Sequence, residues 1–323
     1  PAYVTEISPA DKRGRLVAMY QFNIVFGILI AYLSNFIFSN LDLGANTWRW
    51  MLGVQVVPAA IYTLMVLGIP MSPRWLVMKG RIEDARKVLA VINPEADINE
   101  LVASAQKDGG KKESLLLKKY RLPVLLAFLI AFFNQMSGIN AFLYYAPRIF
   151  EIAGLEKSSA LLSSVGIGVV NLIFTFVGLS LIDKFGRRQL MYIGSFGYIV
   201  SLGLVSLSFF LGWKGMMVPL FFFLFIAAHA VGQGTVIWVF ISEIFPSHLR
   251  AQGQALGSST HWVLAAAIPA AIPYLFDEIG ASWVFACFTA MMVLQLVFVM
   301  FMMPETKGVP LEELSKSLIK EES

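Results

Sequence analysis

The chain has 323 residues, of which 57% are hydrophobic and only 14% charged, and its mean hydropathy is +0.70. That balance excludes a soluble globular domain, in which about 25% of residues are charged, and the net charge of +4 calls for no nucleic-acid partner. The lone Cys287 excludes a disulfide framework within the chain.

In chain order, stretches free of Asp, Glu, Lys and Arg run over 16–41, 50–73, 122–147, 158–182, 189–213, 215–242, 251–276 and 279–304. A helix needs about 20 apolar residues to cross a bilayer, and more when tilted, so the reading is an all-α membrane protein with eight transmembrane helices. The alternating strands of a barrel are absent from the pattern. Residues 1–69 hold the first two spans, 70–121 form a cytoplasmic helical linker domain, 122–304 hold the remaining six spans, and 305–323 are a tail. Within the linker, Asp97-Ile98-Asn99-Glu100 matches a helix-start pattern and Gly109-Gly110 reads as a flexible joint. A plain solvated linker is the alternative.

Basic residues orient the spans. Of the 25 Lys and Arg, only Arg49, Arg148, Lys157 and Lys214 lie in one alternate set of connections, and the rest lie in the other. Cytoplasmic loops are enriched in Lys and Arg, so the rich set is expected inside, with both chain ends cytoplasmic. Simple anchoring to lipid headgroups gives the same topology.

The third charge-free stretch carries Asn134, Gln135, Ser137, Gly138, Asn140, Tyr144 and Tyr145 in a setting otherwise fit for hydrocarbon. Amides in lipid are costly unless paired, so these residues are expected to face a protein interior or a wet cavity and to hydrogen-bond a polyhydroxylated guest. Bridging between neighbouring helices is the alternative. At 100° per residue, a regular helix turns Ser137, Asn140 and Tyr144 to one face and Asn134, Gln135 and Tyr145 toward the other. Gly138, between the two sets, is therefore the expected break. Further along, Gly232 and Gly234 flank Gln233, whose direction periodicity does not fix, and Pro269 and Pro273 are expected to kink their span or simply to pack. His229 and His261 are the titratable groups deep in the spans, and no Asp or Glu accompanies them there. Proton coupling would need a histidine or an acid supplied from elsewhere.

A repeat runs through the chain: Glu6-Ile7-Ser8-Pro9 with Arg13 recurs as Glu243-Ile244-Phe245-Pro246 with Arg250, each followed by two spans and a proline-led motif. Duplicated halves of this kind are common in transporters. Together with Pro70-x-Ser72-Pro73-Arg74, Asp183-x-x-Gly186-Arg187-Arg188 and Pro304-Glu305-Thr306-Lys307-Gly308, the chain resembles the sugar porter family of the major facilitator superfamily. It departs from the family pattern at Met71, where Glu is usual, at Asn134, where Gln is usual, and around Gln233, where Pro is usual.

The resemblance implies a bundle of twelve spans, eight of them present, with the first four expected from missing N-terminal helices of the same protein, so that by the family's count the third stretch here is the seventh span and the sixth stretch the tenth. It places Gln21, Asn134, Gln135, Asn140, Tyr144, Asn171 and Trp238 at sugar-contacting positions. His261 stands where relatives often present an amide, as a sugar contact or as an interhelical histidine. Gly138, Tyr145, Gly232 and Gly234 become gating and hinge positions. Glu6, Arg13, Arg74, Asp183, Arg187, Arg188, Glu243 and Arg250 are the expected salt-bridge latch on the cytoplasmic side, with plain anchoring as the alternative.

Metalloprotease, hydrolase and phosphate-loop motifs are absent from the sequence, so an enzyme is not expected, nor a cofactor or metal. The expected function is transport of a monosaccharide by alternating access, as a proton symporter or a facilitator, in the bacterial plasma membrane. A non-transporting sugar sensor or an inactive fragment remain as alternatives. The expected partners are a small sugar, protons and the lipid bilayer.

Overall fold

Backbone polar groups in hydrocarbon must be satisfied within their own segment, and the charge-free stretches accordingly fold as helices. The computed structural model describes residues 3, 13–41, 43–92, 98–99, 102–103, 113–246, 249–309, 314 and 317–319, apart from the side chains of 13–18, 20 and 74. The expectations at Glu6, Arg13, Arg74, Asp97 and Glu100, and the Gly109-Gly110 joint, fall outside the described backbone or side chains. Among the described residues, eight helical segments are long and apolar enough to span a membrane: Gln21–Asn40, Gly44–Val66, Lys118–Ile152, Lys157–Phe185, Arg187–Phe210, Met217–Glu243, Arg250–Glu278 and Gly280–Phe301.

The chain divides into two compact units, Pro1–Lys112 and Glu113–Ser323. In the first, α1 spans Arg13–Asn40, while the second span is made of two helices, α2 (Thr47–Gly53) and α3 (Val56–Val66), rather than the single helix expected over 50–73. A short polar layer follows. The Ser72 hydroxyl accepts from the backbone N–H of Trp75 at 3.3 Å, capping α4 (Pro73–Met78). α5 (Ile82–Ile92) starts with Glu83 and Asp84 in its first turn, where the helix dipole favours acids, and buries Ala85 against Leu76 and Val77.

The second unit contains α6 (Arg121–Met136), α7 (Ile139–Ile152), α8 (Lys157–Phe185), α9 (Arg187–Phe210), α10 (Met217–Val231), α11 (Gln233–Glu243), α12 (Arg250–Glu278) and α13 (Gly280–Phe301). α9 packs against α10 and α13, α8 against α10, and α6 against α12. Phe142 of α7 stacks on Phe222 of α10 with ring centroids 3.9 Å apart, and Phe150, Phe225 and Phe285 meet the same ring pair edge-on. α12 continues as one helix through Pro269 and Pro273.

Two spans of the second unit are broken. Lys118–Ile152, which is the seventh span by the family's count, divides at Ser137 and Gly138, and Gly138 takes φ 77°, the left-handed conformation that only glycine adopts cheaply. A Cβ there would lie 2.5 Å from the ring of Phe288. Met217–Glu243, the tenth by that count, divides at Gly232, with φ −87° and ψ −100°. Here glycines matter for contact: a Cβ on Gly194 would lie 2.9 Å from the Gly232 Cα, so α9 and the break meet backbone to backbone.

Candidate sugar site and the charged cluster

The break at Gly138 folds the two faces of the seventh span toward one another. Asn140, at the start of α7, donates from Nδ2 to Gln135 Oε1 at 3.0 Å, and Gln135 Nε2 donates to Asn134 Oδ1 at 2.9 Å. Residues that a straight helix would separate are thus one cluster. Asn134 and Gln135 are buried at 2% and 1% exposure, while Asn140 is half-buried. Ser137 supports the turn: its hydroxyl donates to the Asn134 carbonyl at 2.6 Å and accepts from the Ile139 N–H at 3.3 Å.

α12 brings His261 to the same cluster. Gln135 Nε2 lies 3.1 Å from His261 Nδ1 and 3.4 Å from its Nε2. An amide nitrogen only donates, so the ring nitrogen it engages is an unprotonated acceptor. The Trp238 ring of α11 sits with its centroid 5.2 Å from that of His261. Asn134, Gln135, Asn140, Trp238 and His261 therefore form a connected group of amides, an imidazole and a flat apolar face. Groups of this kind suit a carbohydrate, whose hydroxyls donate and accept while its C–H face packs on an aromatic ring.

The remaining positions are more scattered. Asn171 is buried on α8, and no hydrogen bond ties it to the cluster among the described residues. Tyr144 is 61% exposed and Tyr145 half-buried, both on α7. Gln21 lies half-buried on α1, in the other unit. Gly234 packs over the His229 carbonyl and ring, and His229 Nδ1 pairs with the Tyr198 hydroxyl at 2.5 Å, apart from the amides.

A second cluster gathers at the helix ends. Arg187 grips Glu243 through two hydrogen bonds, Nη2 to Oε1 at 2.8 Å and Nε to Oε2 at 3.1 Å, and reaches Asp183 at 3.3 Å. Thr306 adds its hydroxyl to the same Glu243 oxygen at 2.5 Å. Glu305 accepts the backbone N–H groups of Arg187 and Arg188 at 2.9 and 3.0 Å, while the Arg188 side chain donates to the carbonyls of Val299 and Met300. Arg250 Nε is buried without a hydrogen-bond partner among the described residues.

Sequence reasoning passed over Glu305 and Thr306 as members of this cluster, and Gln295 and Ser195 near the amides. Gln295 had a signal, as the lone amide of the last apolar stretch.

Residues 1–318 match the family model described as sugar (and other) transporter. This chain belongs to the sugar transporter family. The transporter is 38% identical to the probable metabolite transport protein CsbC of Bacillus subtilis (strain 168), an alignment covering 99% of this chain and 70% of the relative. To the arabinose-proton symporter of the same organism it is 35% identical, over 98% of this chain and 71% of the relative. Among solved structures, the xylose transporter XylE from E. coli in a partially occluded inward-open conformation superimposes with a TM-score of 0.83 at 29% identity, over 96% of this chain and 68% of that one. The transporter is thus a multi-pass membrane protein of the major facilitator fold and not an enzyme.

Proposed function

We propose that this transporter moves a monosaccharide by alternating access, with the amides of the broken seventh span as the sugar's principal contacts in this half. The observation that carries the reading is the buried Asn134–Gln135–Asn140 cluster joined to His261, placed where one helix is interrupted. Each net hydrogen bond is worth about 0.5 to 1.5 kcal/mol, so several together give selective yet releasable binding. The breaks at Gly138 and Gly232 supply hinges, with Tyr145 and Gly234 beside them. Alternating access then consists of one half rocking against the other around a midplane site.

The coupling ion is a proton in the arabinose-proton symporter, which supports proton symport here, with facilitation as the competing mode. The excess of Lys and Arg in one set of connections supports a plasma membrane orientation with that set inside, and the charged cluster then acts at the cytoplasmic end as a latch. Uptake of labelled D-xylose, L-arabinose and D-glucose by the full-length protein in proteoliposomes tests this. Accumulation that a protonophore abolishes supports symport, and uptake that ignores the protonophore supports facilitation. No uptake of any of these sugars would remove the basis for the reading.

A further inference from the structure

The hydrogen bonds around Asn134 do not end at the sugar-site cluster. Asn134 Nδ2 donates to Gln233 Oε1 at 3.4 Å, Gln233 Nε2 donates to Gln295 Oε1 at 2.8 Å, and Gln295 Nε2 donates to Ser195 Oγ at 2.8 Å. Gln295 and Ser195 are fully buried, and Gln233 is 1% exposed. Joined to the Asn140–Gln135 and Gln135–Asn134 bonds, these links form one chain from α7 through α6, α11 and α13 to α9. Every amide in it donates in the same sense, away from Asn140 and toward Ser195.

Such a chain has a direction that its members share. Turning over an amide between two others, such as Gln233, would set N–H against N–H on one side and oxygen against oxygen on the other. Each buried group so orphaned costs about 1 to 3 kcal/mol. Bonds that point the same way also polarise one another. At the far end the fully buried Ser195 Oγ accepts from Gln295 Nε2, and Ser195 follows Gly194, whose backbone packs against the Gly232 break. The near end is half-open: one N–H of Asn140 Nδ2 is committed to Gln135, which leaves Oδ1, an acceptor, and the second N–H for a guest.

We propose that Gln295 is a positioning residue of the sugar site. Acting through Gln233 and Asn134, it fixes the sense of the amide chain, so that Asn140 accepts a hydrogen bond from one particular hydroxyl of the sugar. This rests on the reading of the Asn134–Gln135–Asn140 cluster as a sugar site. Gln233 explains its own place in the sequence by the same argument, as the link between the broken tenth span and the amides of the seventh.

The test uses the purified full-length protein and the variant Gln295→Met, which keeps side-chain length and removes both hydrogen bonds. Binding is measured for D-glucose, D-xylose and L-arabinose, and for monodeoxy analogues of whichever binds. The variant is expected to bind the parent sugar about fivefold to tenfold more weakly. It should bind the one analogue lacking the Asn140-facing hydroxyl as well as wild type does. Equal weakening across every analogue is what a merely structural role produces, and it would overturn the proposal. Should Gln295→Met fail to fold, Ser195→Ala removes only the terminal acceptor and carries the same comparison. Thermal unfolding of the sugar-free protein adds a double-mutant cycle between Gln295→Met and Asn134→Leu. Non-additive losses are expected for members of one network, and additive losses would overturn the chain. If wild type binds none of these sugars, the sugar-site reading itself fails, whereas additive losses with binding intact sink this proposal alone.

Discussion

Gly138 and Phe288 meet so closely that a Cβ on the glycine would lie 2.5 Å from the phenylalanine ring. The same residue holds φ 77°. Gly138→Ala therefore incurs two costs, about 1 to 2 kcal/mol for a left-handed L-residue and about 1 to 3 kcal/mol for overpacking. Thermal unfolding of the purified protein in detergent should show a clear drop in Tm. An unchanged Tm would mean that the break in the seventh span does not depend on glycine.

Arg187 and Glu243 form a two-bonded ion pair with most of the arginine side chain sheltered, its side-chain exposure being 11%. Arg187→Ala leaves Glu243 half-buried with Thr306 as its remaining partner among the described residues, and removal of one member of a sheltered pair is the costly direction. If the cluster is a cytoplasmic latch, the variant should populate inward-facing states more. Cysteine labelling reads this out, once the exposed native Cys287 has been replaced by serine. Labelling at a cytoplasm-facing probe should rise several-fold, and an unchanged rate would leave only an anchoring role.

Glu305 gives the charged cluster a pH dependence. Burial pushes its carboxyl up, but the backbone N–H groups of Lys307, Arg187, Arg188 and Thr306 outweigh that and hold it below the ordinary glutamate value. A carboxyl lowered in the folded state contributes stability that is present above its unfolded pKa and is lost as pH falls through the folded value. Thermal stability of the wild type should therefore decline through the acidic range, and Glu305→Gln should show a shallower decline from a lower starting point. Parallel curves for the two proteins would contradict the role of those four N–H groups.

The eight spans were legible because hydrocarbon thickness imposes a length that charge-free stretches report directly. The Gly138 break was also legible, since no regular helix aims Asn134, Gln135 and Asn140 at one guest, and a left-handed residue resolves the conflict. The division of the second span into α2 and α3 carried no such signal. The links among Gln233, Gln295 and Ser195 were illegible for a different reason. Their partners lie on other helices far away in sequence, and which helix faces which is decided by packing, for example by Gly194 admitting the Gly232 backbone. Glu305 belonged to a recognised motif, but its partners are backbone N–H groups, which sequence does not mark.

The central claim is that a sugar binds at the amides of the broken seventh span, and Gln135 is the residue most deeply tied into them, with Asn134, Asn140 and His261 all within hydrogen-bond reach. Titration of D-xylose, L-arabinose and D-glucose into purified full-length wild type and Gln135→Ala tests it most directly. The expected result is that the variant stays folded and binds whichever sugar the wild type binds about tenfold or more weakly, the equivalent of about 1.4 kcal/mol or more. Unchanged affinity in a folded Gln135→Ala protein would contradict the site.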